Sequence, residues 1–269
     1  MFVRQLFGSA GAVIIGIACA AGTAQAQPGV PADCSALPSH GTLKAALDKA
    51  TAEEKSGLNN HMWATIVNRD GVVCAVAFSG GNRAAQWPGS RVISAQKAST
   101  ANAFGLDSSS SSAGSGHPDG LALSTANLFS AVQPGGSLYG LQFSNPVDTD
   151  LAYDGPYASY GTPKDPLTGA RIGGVNVFGG GLGLYAAGRR MIGGVGVSGD
   201  TSCADHNIAW RLRHYLALDH LLGVGGVSGD KARPDNIVFD IAGGNSKGGF
   251  GHPQCMNTTD AAMLPAVQQ

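Results

Sequence analysis

Glycine constrains this chain more than any other residue: 41 of its 269 positions, scattered without a repeat period. Glycine gives up more backbone freedom on folding than other residues, so a chain this rich in it needs a well-packed core to fold at all. Apolar residues make up 43%, which supplies that core and excludes disorder; the missing Gly-X-Y period excludes a collagen helix. Charged residues are only 13%, and 17 basic side chains are balanced by 18 acidic ones. No basic stripe is available to neutralise phosphates, so nucleic acid is not an expected partner.

The first 26 residues read as an address rather than as structure. Arg4 precedes an apolar run, Gly8–Ala21, and Ala24-Gln25-Ala26 has the small-x-small pattern of a signal-peptidase site. The run is shorter than the roughly 20 residues of a membrane span, and no later stretch qualifies. Cys19 does not make a lipoprotein signal, because Gly16 stands where Leu is wanted. The expectation is an exported chain, periplasmic or secreted, with a cleavable signal peptide and a mature start at Gln27. Residues 27–40 are then a short N-terminal segment.

Export gives the four remaining cysteines, Cys34, Cys74, Cys203 and Cys255, an oxidising environment and three pairing schemes. A helix at Gly41–Leu58 followed by a returning strand at Trp63–Asn68 places the chain around Cys34 near the Arg69-Asp70-Gly71 turn, just before Cys74. The expected pairs are therefore Cys34–Cys74 and Cys203–Cys255. A second reading stays open: Cys203 with His206 and His252 with Cys255 have the spacing of four tetrahedral zinc ligands.

Along the chain, Thr42–Leu58 has helical spacing. Met62–Val67 and Val72–Phe78 flank an Asp-Gly hairpin turn, and Ser90–Phe104 is an Ala-rich helix. Asp107–Arg171 breaks into Ser/Gly and then Tyr/Pro-rich sequence, a long insert that includes a short helix at Ser124–Val132. Strands are expected at Ile172–Phe178, Leu182–Tyr185 and Arg190–Ser198, a helix at Ser202–Leu222, and a last strand at Ile237–Ile241 in a Gly-rich extension, 223–269. The order predicts an α+β chain around one antiparallel sheet.

Two motif matches are discounted by context. Gly194-Val195-Gly196-Val197-Ser198-Gly199 has the form of a dinucleotide fingerprint, but its strand reads as part of an antiparallel hairpin and the acid that should follow, Asp219, falls in a helical pattern. Gly244-Asn245-Ser246-Lys247-Gly248 has the nucleophile-elbow form without the strand-turn-helix around it. Haem chemistry has more candidates: His61, His117, His206, Met62, Met191, Tyr139 and Tyr185 can all ligate iron, and spacing selects none. Cys-x-x-Cys-His is absent, which argues against covalent haem attachment.

Three blocks carry a family resemblance. They are Ala64–Ala75; Arg83 followed by Ser94-Ala95-Gln96-Lys97-Ala98-Ser99-Thr100-Ala101; and Gly179-Gly180-Gly181-Leu182 through Ile192–Asp205. Together, over roughly Gly41–Leu222, the chain resembles the GlcG/HbpS-like haem-binding (haem-degrading domain) proteins. The resemblance implies a profilin-like fold, a single antiparallel sheet of about five strands flanked by helices, often assembled as homo-oligomers. It also implies non-covalent haem as cofactor, or a similar anionic ligand, in a cleft between sheet and helices, with a role in haem handling or redox sensing. Lys97 and Arg83 are the expected anion contacts, and His61 and His206 the axial candidates, facing one cleft. A binding protein is the leading expectation. The alternatives are a haem-dependent or small-acid-converting enzyme, and an assembly or sensor module that binds a partner protein.

Overall fold

A computed structural model describes residues 34–110, 117, 119–257 and 260–269; the expected signal peptide and most of the Ser/Gly loop lie outside them. The first helix, α1 (His40–Glu53), is capped by Ser39, whose Oγ accepts from the Thr42 N–H at 3.3 Å. It ends five residues before the expected Leu58, because the Glu54 carboxylate turns back to accept from the Lys55 and Ser56 N–H groups. Strands β1 (Trp63–Asn68) and β2 (Val73–Phe78) form the expected hairpin. Its turn closes on the Asn68 side chain, which accepts from the Asp70 and Val72 N–H groups at 3.0 Å, and Gly71 takes a left-handed φ of +76°. Helix α2 (Ser90–Phe104) follows.

The insert is mostly irregular: β3 (Leu121–Ala122), two 3-10 turns where a short helix was expected, and the single turn α3 (Thr149–Ala152). The expected strand Ile172–Phe178 is absent. Gly173 and Gly174 have φ of +64° and +86°, which breaks the pleat, and a lone bridge to Val147 remains. Strands β4 (Gly181–Ala186) and β5 (Arg190–Ser198) then lead to α4 (Ser202–Tyr215), which stops before Leu222 because Ala217 is left-handed. Asp219 therefore lies beyond the helix, buried against His214 and Gln268. The extension holds β6 (Gly225–Gly226), paired parallel to β3, and a two-residue hairpin, β7 (Ile241–Ala242) with β8 (Asn245–Ser246), in place of a strand from Ile237.

The main sheet has four strands, in the order β2-β1-β5-β4, all antiparallel. Period-two alternation along β1 sends Ala64 and Ile66 to a core with α1 and α4, and Trp63 and Val67 to a core with α2 and the insert. Contact with α2 is unusually close along β5: a Cβ on Gly194 would lie 2.4 Å from the Ala98 carbonyl oxygen, and one on Gly196 2.0 Å from that of Ser94. The glycines that mimic a dinucleotide fingerprint are thus the floor on which α2 rests. The insert closes this face through Arg91, whose guanidinium is buried against Asp165 and the Ala152 carbonyl. Both cysteine pairs, Cys34–Cys74 and Cys203–Cys255, are disulfides.

Candidate functional site

The segment between α1 and β1 is built around one carboxylate at the end of β5. Asp200 accepts from the Leu58 and Asn60 N–H groups at 2.9 Å, and a Cβ on left-handed Gly57 would lie 2.1 Å from its Oδ1. This loop presents His61, an exposed ring whose Nδ1 lies 3.1 Å from Ser79 Oγ; among the described residues Nε2 bonds nothing. His61 stands on the rim of a cleft of about 250 Å³, whose apolar wall is Ala52, Ala204 and Ile208. Lys55 brings one cation. The acidic groups there are already committed, Asp48 to Lys44 and Glu54 to Arg211.

Of the expected residues, Lys97, His61 and His206 do not share this cleft; only His61 lines it. Lys97 is fully buried: its Nζ donates to Asp205 at 2.6 Å and to the Val197 carbonyl at 3.0 Å, and lies 4.5 Å from the Phe178 ring centroid. Burial disfavours both charges of the pair, lowering the Lys97 pKa and raising that of Asp205 to about 6; each charge offsets part of the other's penalty. An ammonium so engaged has no face for a ligand. It instead ties α2 to α4 past the ends of β4 and β5. His206 is also fully buried, its Nε2 against Asn236 and the Ile237 N–H, and burial lowers its pKa to about 4. Arg83 opens a 3-10 turn, Arg83–Ala85, a few residues after Ser79 of the cleft.

The zinc reading needs correction. Cys203 and Cys255 are bonded to each other, and the ligand atoms found within 4.8 Å of one another belong to Cys203, His252 and Cys255, without His206. The elbow-like Ser246 sits in the β7–β8 hairpin, donating to Asp240 at 2.7 Å, with no histidine partner among the described residues. Sequence reasoning also missed Asp165, Asp205 and Asp235 as the buried partners of Arg91, Lys97 and Arg213. Of these, only Asp205 stood in a quoted motif.

A haem site needs an axial donor, an apolar slot and partners for the propionates. The His61 cleft offers the first, a short length of the second and Lys55 for the third. At about 250 Å³ it takes an edge of the macrocycle rather than the whole. A larger groove of about 490 Å³ beside α2 has Arg69 and Arg171 on its walls, but no histidine, cysteine, methionine or tyrosine lines it.

A family model described as "Haem degrading protein HbpS-like" matches residues 40–212, well over half of the chain. The chain belongs to this family. The HbpS-like match runs from the first residue of α1 into α4, so it contains the whole sheet, both helical layers and the His61 cleft; His252 and Cys255 lie beyond it. No curated protein matches. Among solved structures, the HbpS-like chain is similar to the Klebsiella pneumoniae protein ORFY, with 25% identity, TM-score 0.41, and coverage of 67% of this chain and 90% of that one. A PduOC:heme complex follows at 22% identity, TM-score 0.41, with 65% and 89% covered. HbpS itself stands at 15%, TM-score 0.37, with 65% and 84% covered. Among the described residues no helix is long and apolar enough to cross a membrane.

Proposed function

We propose that this HbpS-like protein binds haem non-covalently at the His61 cleft, with His61 as iron ligand. The observation that carries the reading is the His61 imidazole, exposed within the family-matched segment and with Nε2 unengaged among the described residues. Bound haem would supply the redox-active iron; the chain supplies position and charge. Lys55 serves one propionate, its Nζ already turned by a bond to the Ala52 carbonyl. Arg83, close in sequence to Ser79, serves the other. Because the cleft holds only an edge of the ring, a second copy of the chain covers the rest, in keeping with a homo-oligomer. Two disulfides support a periplasmic or secreted location, which the N-terminal sequence also favours.

Haemin titrated into the purified apo-protein should give a Soret shift saturating at one haem per chain or fewer. His61→Ala should abolish the shift, Arg83→Ala should weaken binding, and His206→Ala should leave stoichiometry unchanged. A flat titration of the wild-type chain ends the reading. A Soret band that forms and then decays with release of iron would make the protein a haem-degrading enzyme rather than a carrier.

A further inference from the structure

Where the start of α4 meets the C-terminal segment, Cys203, His252 and Cys255 bring two sulfurs and a ring nitrogen within 4.8 Å of one another, and none of these residues lines the His61 cleft. The histidine is prepared to act as a ligand. Its Nδ1 lies 2.7 Å from the Pro253 carbonyl, which can only accept, so Nδ1 carries the proton. Its Nε2 lies 2.7 Å from Ser202 Oγ. That hydroxyl accepts from the Gly179 N–H at 2.7 Å and has its own proton to give to Nε2. The ring is held through Nδ1 by the Pro253 carbonyl, as metal-binding histidines usually are, while Nε2 meets a hydroxyl that has to turn aside before a cation can take its place. The sulfurs are favourably placed too: the Cys203 N–H, in the first turn of α4, donates to Cys255 Sγ at 3.2 Å, and a helix N-terminus stabilises thiolate.

We propose that Cys203, His252 and Cys255 form a redox-gated site for a thiophilic divalent cation of the zinc type, closed as the disulfide and opened by reduction. A dithiol reductant gives two electrons and two protons: the Cys203–Cys255 bond breaks, two thiols form, and the reductant closes its own disulfide. The cation then displaces the two thiol protons and binds two thiolates and the imidazole, with Ser202 Oγ or water as the fourth donor. Tetrahedral zinc at about 2.3 Å from each sulfur sets the sulfurs about 3.8 Å apart. The two Cα atoms stand 6.0 Å apart in the disulfide, and rotation of the two side chains is what would part the sulfurs to that spacing. Among the described residues the other disulfide, Cys34–Cys74, has no such histidine beside it.

The test uses the full chain, reduced anaerobically with a phosphine and titrated with Co²⁺. The expected result is one Co²⁺ per chain, with a thiolate-to-cobalt charge-transfer band and tetrahedral visible bands, and no band in the oxidised chain. The Cys34→Ser/Cys74→Ser double variant should keep the signal, and His252→Ala should weaken binding about tenfold or more. A reduced chain without the band, or a band that survives Cys203→Ser, overturns the proposal. So does unfolding on reduction, read by circular dichroism, that added Zn²⁺ fails to reverse. Haem titration is a separate readout, so neither result depends on the other.

Discussion

On the α1/α4 face of the sheet, contact is made by large side chains: Leu43, Leu47, Ile66 and Trp210 are all essentially inaccessible. On the α2 face much of the contact is made by the absence of side chains, at Gly194 and Gly196, and is secured from outside by the buried Arg91–Asp165 pair. The first kind of packing is a volume to be filled and accepts substitutes that fill it. The second is a distance to be kept, and its anchors are charges whose partners cannot be removed singly. One sheet thus carries two unequal tolerances to mutation.

Removing the Arg91 guanidinium should expose that inequality most. Arg91→Ala removes the cation facing the buried Asp165 carboxylate and leaves it, among the described residues, only the Gly161 and Leu167 N–H groups, at an expected cost of about 4 kcal/mol in denaturant unfolding. A loss below about 1 kcal/mol would mean that the α2 face does not need its anchor. Acid comes next. His206 and His252 have folded-state pKa values of about 4 against 6.5, so the unfolded chain takes up their protons first. Stability present above pH 6.5 is then lost as the pH falls towards 4, by about 3 kcal/mol for each group. Asp205, raised to about 6, opposes this below pH 6, but it does so equally in wild type and in His206→Asn. The variant should therefore lose about 3 kcal/mol less than wild type between pH 6.5 and 4; parallel curves would refute the buried neutral ring. The smallest pair bears directly on the two packings. Gly196→Ala adds one carbon and should cost about 2 kcal/mol, whereas Leu47→Met changes a whole side chain and should cost less than about 1.5 kcal/mol. The reverse order would erase the distinction between the faces.

Local chemistry made much of this architecture legible. The Asn68–Gly71 turn, the limits of α2 and the start of α4 follow from residues that act on their immediate neighbours. The resemblance implied about five strands and the main sheet has four; separately, Ile172–Phe178 looks like a strand until Gly173 and Gly174 are placed in left-handed backbone. The site was harder to read for a different reason. Lys97 is a plausible anion contact until Asp205, 108 residues on, is found at 2.6 Å, and His206 looks available until Asn236 and Ile237 close over it. Burial and long-range pairing decide whether a charged or basic group is free, and neither is encoded in spacing. His61 remained available because its neighbours, the loop and Ser79, leave one side of the ring open.

The Lys97–Asp205 pair passes the ends of β4 and β5 and joins helices that lie on opposite sides of the sheet. Neither layer can lift away without separating two charges in a dry interior. Opening of α2 and opening of α4 become a single event, and their slowest amides should exchange with solvent at one common rate. For a domain that rests partly on bare glycine, this linkage turns two helical layers into one cooperative unit.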